Sequence, residues 1–256
     1  MKPMSFDTGD SLRNIKLLLA YDGTCFFGWQ RQENERTVQA VIEDALGKLH
    51  KKPIILTGSG RTDSGVHAAG QAANFYTDIK NMDSSRFVPA LNSLLPHDVR
   101  ILEASQVPDD FHSRFDARFR TYRYCFITRR DAMPWELRYA WHIRRQPDIE
   151  RLNSYTRLLR GEMDCTAFAV PGDKSKSRFR FINRASFFYE GGKLVFEISA
   201  NAFLWKMVRS IAGTLLHFDE EEFTPDYFRE VIISRNRKLS GPTAPPQGLF
   251  LWKIEF

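Results

Sequence analysis

Gly60-Arg61-Thr62-Asp63-Ser64-Gly65-Val66-His67-Ala68 joins two β-rich segments, and neither helix nor strand propensity can hold it. Ile54-Ile55-Leu56 before it reads as a short strand, and Ala72 to Tyr76 as the strand that leaves it. Gly58, Gly60 and Gly65, mixed with Thr62 and Ser64, make a loop that presents side chains, among them one carboxylate and one guanidinium. Three uses compete for such a loop. Asp63 can form a turn by bonding its own backbone, the glycines can cradle a phosphate, or Asp63 and His67 can share a metal. The dinucleotide fingerprint fails because Asp63 stands where its third glycine belongs, and a phosphate-binding loop would end in Gly-Lys-Ser/Thr. A metal centre needs more ligands than this segment supplies. Composition alone leaves the turn reading open.

Working outward, Ile15-Lys16-Leu17-Leu18-Leu19-Ala20-Tyr21 predicts a buried strand stopped by Asp22-Gly23. Thr37 is placed to cap a helix in which Val38, Val41, Ile42, Ala45, Leu46 and Leu49 form one apolar stripe. Phe87, Val88, Leu91, Leu94 and Leu95 mark a second amphipathic helix ending near Pro96, and Val99 to Ala104 a further strand. The first hundred residues thus alternate strand and helix, which implies an α/β layer arrangement.

From Thr121 the chain becomes extended and aromatic in Tyr122-Arg123-Tyr124-Cys125-Phe126-Ile127. Ile149, Leu152, Tyr155 and Leu159 fit a helix, and Gly191-Gly192 between two alternating runs predicts a hairpin. Leu204, Met207, Val208, Ile211 and Leu215 form another helical stripe, and Phe250 to Phe256 a closing strand with alternating Phe250, Trp252, Ile254 and Phe256. Pro108 to Arg120 is the joint between the halves, so residues 1–110 and 111–256 are expected as two units.

The 256 residues are 43% hydrophobic and 27% charged, as in an ordinary folded protein. A net charge of +6 and a pI near 9.3 favour an acidic partner. Its distribution says more. Nine arginines lie between Arg114 and Arg145 against Asp116, Asp131 and Glu136, and Lys174, Lys176, Arg178, Arg180 and Arg184 follow. A solvated charged face is one reading, and the preference for guanidinium, which suits phosphate and stacks on bases, points to nucleic acid. Cys25, Cys125 and Cys165 are odd in number and far apart, so no disulfide framework or zinc cluster is expected. Met1 to Ser11 holds no apolar core of signal-peptide length, and Ile15 to Ala20 is far too short to cross a bilayer. A cytoplasmic protein without membrane attachment is expected.

The whole loop string Gly60 to Ala68 resembles the active-site signature of the TruA-type transfer RNA pseudouridine synthases. Further matches run in the same order along nearly the entire chain: Tyr21-Asp22-Gly23, Phe27-Gly28-Trp29-Gln30, Thr37-Val38-Gln39, Phe111-His112-Ser113-Arg114-Phe115, Tyr122-Arg123-Tyr124, Asn201-Ala202-Phe203-Leu204, Met207-Val208-Arg209, Gly241-Pro242-Thr243-Ala244-Pro245 and Gly248-Leu249. The resemblance implies an α+β fold: two α/β halves share a continuous, mixed but mainly antiparallel sheet, with helices on one face and the active-site cleft between the halves. It also implies a homodimer that isomerises uridine to pseudouridine at positions 38, 39 and 40 of the anticodon stem-loop of transfer RNA. One stretch departs from the pattern. After the helix of Arg209 this chain carries His217-Phe218-Asp219-Glu220-Glu221-Glu222, an acidic run that should repel phosphate.

By the same resemblance Asp63 is the catalytic nucleophile, Tyr122 the aromatic that stacks on the target base, and Arg209 the ion-pair partner of Asp63. Arg61 helps hold the RNA and Leu249 lines the pocket. Arg178 and Arg180, from the second basic run, are expected to bind substrate through phosphate. The isomerisation breaks a C–N glycosidic bond and rejoins the base through carbon with no net change of atoms, so no cofactor and no metal are expected. Attack on the sugar and attack on the base ring both need an ionised aspartate, and a guanidinium opposes the rise in pKa that desolvation brings. Read without the resemblance, Arg209 is a surface arginine beside an apolar stripe, and Tyr122 is core packing on a strand face shared with Arg118, Arg120, Tyr124 and Phe126. Two rival functions follow. One is a non-catalytic protein of the same fold that binds or folds transfer RNA; the other is a glycosidase-like enzyme, which needs two carboxylates where this loop has one.

Overall fold

Alternating apolar residues build the first strand, β1 (Arg13–Tyr21), in which Ile15, Leu17, Leu19 and Tyr21 are buried. The computed structural model describes residues 12–256, so the stretch read above for a targeting signal, Met1 to Ser11, lies outside the described residues. Helix α1 (Val38–His50) follows, and Thr37 occupies its N-cap position without the expected side-chain bond. The carbonyls of Gly28 and Trp29 accept instead from the amides of Val38 and Gln39, at 3.2 and 3.0 Å. The preceding loop therefore satisfies the helix's first donors.

The strand expected at Ile54 to Leu56 begins later. The observed strand β2 is Thr57–Gly58, paired with Asn74 and Ala73 of β3 (His67–Thr77). Glu43 accepts from the Leu56 amide and Gln39 donates to the Leu56 carbonyl, so side chains of α1 occupy the groups a ladder would have used. The chain continues through α2 (Phe87–Asn92), β4 (Val99–Val107), β5 (Phe119–Ile127), α3 (Pro134–Leu137), β6 (Trp141–His142) and α4 (Ile149–Arg157). Then come β7 (Gly161–Asp164), β8 (Phe179–Glu190), β9 (Lys193–Ala200), α5 (Met207–Glu220), α6 (Pro225–Ser234) and β10 (Leu249–Glu255). The expected hairpin joins β8 to β9, with Gly191 and Gly192 at φ +56° and +75°. Leu204, read as part of the helical stripe, precedes α5 but is buried beside it.

Among the described residues, ten strands form one sheet in the order β4-β1-β3-β10-β5-β9-β8-β7, with β2 added to β3 and β6 to β5. Among the described residues, only β10 with β3 and β6 with β5 pair in parallel. The fold is α+β with a mixed, mainly antiparallel sheet. The last strand, β10, stands between β3 and β5 and is the seam through which the sheet is continuous. Across it, one row of paired residues runs Val99, Tyr21, Ala68, Leu251, Tyr122, Ile198 and Ala185, and all are buried. Helices cover this face. His50 of α1 and Phe87 of α2 both pack on Phe75 of β3, and α5 lies over β5. The alternation expected along the closing strand is interrupted by a bulge between Leu251 and Lys253, which returns Ile254 to the core face beside Leu249 and Leu251.

Helix α4 makes two further contacts, one with β8 and one with the end of α5. Asn153 of α4 exchanges two hydrogen bonds with the backbone of Phe187, closing β8 beyond the reach of β7. The acidic run at the end of α5 is clasped rather than free. Asp219 is buried and accepts from Arg151 Nε at 3.2 Å and from the Asp148 amide, while Arg145 donates to the Glu220 carbonyl and to Glu222. It serves as an anchor for α4.

Candidate active site

The loop from Ser59 to Val66 is held by bonds that its sequence does not announce. Trp29 N donates to Thr62 O at 3.1 Å, Gly65 N to Phe26 O at 3.2 Å, and Gln71 Nε2 to Gly60 O at 2.7 Å. Tyr21 Oη and Thr62 Oγ1 are 2.8 Å apart in the core. Gly28, at φ +86°, lies so close that a Cβ there would stand 2.6 Å from Thr62 O. Only glycine fits that approach and that backbone. The loop is thereby fixed against the Phe26 to Trp29 segment, with Asp63 facing outward from the core.

Asp63 does not use its carboxylate for its own turn. The turn is closed by its backbone carbonyl, which accepts from Val66 N at 3.2 Å. Its Oδ2 accepts from Arg209 Nη1 at 3.0 Å and its Oδ1 from Trp205 Nε1 at 3.0 Å. Both partners lie beyond β9, so the loop and the start of α5 meet across a cleft. Arg209 is itself steered, because its Nε donates to Ala244 O at 2.8 Å and its carbonyl accepts from Ala244 N at 3.0 Å. That contact depends on Gly213, where a Cβ would stand 1.9 Å from Pro242 O. The Gly241 to Pro245 segment lies directly on α5 for this reason.

Tyr122 projects from β5 into the same cleft, 8% exposed, with the Phe203 ring edge-on at 5.1 Å. Burial first, and the neighbouring Asp63 charge second, push its phenol above the ordinary tyrosine range. Gly60 lies near its hydroxyl, since a Cβ there would be 4.0 Å from Tyr122 Oη. Leu249 is buried in the lining, and Arg61 is exposed at the rim.

The cleft measures about 1660 Å³ and is lined by Arg61, Arg114, Arg120, Lys174, Lys176, Lys206 and Arg209 against the acids Asp63 and Asp173. Such a surplus raises the local concentration of an anionic substrate. Not every expected cation faces it. Arg178 is bonded to Asp173 at 2.6 Å and Arg180 to the carbonyls of Ser177 and Phe179, and neither lines the cleft. Lys174 and Lys176 of the same run do. Five of the nine arginines from Arg114 to Arg145 are likewise engaged: Arg120 donates to four backbone carbonyls, while Arg123, Arg129, Arg138 and Arg145 pair with acids.

The metal pairing of Asp63 with His67 has no geometric basis. His67 is buried, its Nδ1 accepts from Gly23 N at 3.0 Å, and its ring stacks on Phe250 at 4.7 Å. Among the described residues, no three His, Cys, Asp or Glu side chains converge to hold a metal, and no helix is long and apolar enough to cross a membrane. Sequence reasoning missed Trp205 and Asp173. The only signal for Trp205 was its place between Leu204 and Met207, in the gap between two matched strings.

Comparison with known proteins agrees with this geometry. A family described as tRNA pseudouridine synthase matches residues 18–116 and 156–256, which contain Asp63 and Arg209 respectively. The tRNA pseudouridine synthase A of Treponema denticola is 55% identical over 95% of this chain and 93% of its own. That of Treponema pallidum (strain Nichols) is 48% identical over 91% and 85%, and the tRNA pseudouridine synthase A 2 of Clostridium perfringens 40% identical over 95% and 99%. A signature loop, its ion-pair partner and full-length similarity coincide, and the chain belongs to the tRNA pseudouridine synthase family.

Proposed function

We propose that this protein isomerises uridine to pseudouridine in the anticodon stem-loop of transfer RNA, at positions 38, 39 and 40, with Asp63 as nucleophile. The observation that carries the reading is the Asp63 carboxylate, 19% exposed in a basic cleft and bonded at 3.0 Å to Arg209. An ionised carboxylate in a low-dielectric cleft needs an opposing charge, and Arg209 supplies it without consuming both lone pairs of either oxygen.

In the reaction the N1–C1′ bond breaks and the C5–C1′ bond forms. C5 gives up its proton, and N1 gains one. Asp63 opens the sequence by attack on the sugar or on the ring. Tyr122 forms the floor on which the flipped base stacks, a contact worth roughly 1–3 kcal/mol, comparable to the few kcal/mol that extrusion costs. Its phenol is neutral, so it removes the C5 proton only while passing its own to an acceptor. Asp63, released as carboxylate after the base rejoins, is the neighbouring acceptor. Arg61, Lys174 and Lys176 hold phosphate along the rim, Leu249 closes the pocket, and Arg178 and Arg180 support the rim from behind.

We also propose two halves, 1–110 and 111–256, supported by the two separately matched stretches and by the cleft between Asp63 and Arg209. A homodimer in the cytoplasm completes the reading. The deciding experiment is tritium release from transfer RNA carrying C5-labelled uridine, with Asp63→Asn beside the parent. The parent should release label, and the variant should release none while binding within about tenfold, or roughly 1.4 kcal/mol. Release by the variant at the parent rate would remove Asp63 from the mechanism. Tight binding by a parent that releases nothing would favour the non-catalytic reading.

A further inference from the structure

Trp205 touches the nucleophile, yet it stands outside every matched string. Its Nε1 donates to Asp63 Oδ1 at 3.0 Å while Arg209 holds Oδ2, so among the described residues each carboxylate oxygen has one donor. The indole is 47% exposed but is not a free stacking surface. Lys206 Nζ lies over the ring, 4.5 Å from its centroid, and Gly172 is close enough that a Cβ there would stand 3.5 Å from the indole Cζ3. The backbone is held as well. Trp205 N donates to Asp173 Oδ2 at 2.5 Å, and the Asp173 side chain, 1% exposed, also accepts from Ser175 N at 2.8 Å and Arg178 Nη1 at 2.6 Å. An unbroken line of bonds therefore runs Arg178, Asp173, Trp205, Asp63.

We propose that Trp205 is a positioning residue for the nucleophile, held in place by Asp173 and Arg178. The inference rests on the reading of Asp63 as the group that attacks uridine. A carboxylate tied at one oxygen can turn about its Cβ–Cγ bond and present a spread of lone-pair directions. Tied at both, it keeps one plane, and each oxygen retains a lone pair for attack. Reactivity in such steps depends steeply on the alignment of the attacking atom. Arg178 then acts on the rate through Asp173 and Trp205, with its guanidinium already engaged by Asp173.

Single-turnover tritium release at saturating enzyme, alongside RNA affinity, tests this. Trp205→Phe keeps a ring and removes the donor; it should slow release about tenfold while affinity stays within about twofold. Asp173→Ala removes the anchor and should slow release to a similar extent, and the double variant should be no slower than the slower single one. Release by Trp205→Phe at the parent rate overturns the proposal, as does a double variant whose loss is the product of the two. A loss of affinity with an unchanged saturated rate makes Trp205 an RNA contact and also overturns it. A parent that releases no label overturns the functional reading and this inference with it, which separates the two failures.

Discussion

Arg209 Nη1 lies 3.0 Å from Asp63 Oδ2 although the two residues are 146 positions apart in the chain. The pair joins the loop before β3 to the first turn of α5, and its second anchor, Arg209 Nε on Ala244 O, comes from the segment leading to β10. Three distant parts of the sequence thus meet at one guanidinium.

Replacing that guanidinium separates charge from geometry. Arg209→Met should reduce turnover by about two orders of magnitude, roughly 2.7 kcal/mol of barrier, with RNA affinity changed far less. Arg209→Lys should recover only part of the rate, because an ammonium cannot reach Ala244 O and Asp63 with two fixed donors. Single-turnover rates of both variants check this, and full activity in Arg209→Met would reduce the pair to a structural contact.

For Tyr122 the ring and the hydroxyl can be tested apart. Tyr122→Phe should bind and flip the base but stall before C5 loses its proton. Tyr122→Leu should in addition weaken engagement of the flipped base by roughly 1–3 kcal/mol. Parent-like turnover in Tyr122→Phe rules out the proton-transfer role, and parent-like turnover in both returns Tyr122 to core packing.

Salt dependence distinguishes the basic residues at the cleft from those behind it. Removing Lys174 and Lys176 together should flatten the slope of log affinity against log salt by about one to two units. Arg178→Ala should leave that slope near the parent value, since Asp173 already holds its charge. Equal slopes for the lysine variant and the parent would take RNA phosphate away from this loop.

The Asp173 clasp should respond to acid. Burial raises its carboxyl pKa, but bonds from the Ser175 and Trp205 amides, the Ser175 hydroxyl and the Arg178 charge outweigh this, so it sits below the ordinary aspartate value. The unfolded chain then binds more protons over that window, and the contribution of the clasp rises with pH. It should be complete above the ordinary aspartate range and lost as pH falls through the lowered value. Proteolysis of the 171–177 loop between pH 6 and pH 3 measures it, and Asp173→Asn should remove the pH dependence.

Much of the architecture could be read from periodicity. The stripes along α1 and α5, the run that became β1 and the Gly191-Gly192 hairpin all record which side of an element faces apolar neighbours, and that signal is local. The misreadings have a common cause. Ile54 to Leu56 is apolar enough for a strand, but Glu43 and Gln39 reach its backbone from α1, and no pattern within the segment announces bonds made by another element. Thr37 has the right type for a cap, yet the carbonyls of Gly28 and Trp29 arrived first.

The site divides along the same line. The order of residues was enough to place Asp63 in a loop that cannot be helix or strand, and the run of matched strings was enough to name the family. The same strings implied Arg209 as the partner of Asp63, and only the tertiary structure added Trp205. Arg209 and Trp205 reach Asp63 because β10 closes the sheet between β3 and β5 and α5 packs over β5, next to that seam. It also decided which cations stay available, turning Arg120 toward four carbonyls and Arg178 toward Asp173 while leaving Lys174 and Lys176 at the cleft. Charge counts add along a chain, but screening by salt limits a charge's reach to roughly 8–10 Å, and what lies within that reach is set by the packing of elements remote in sequence.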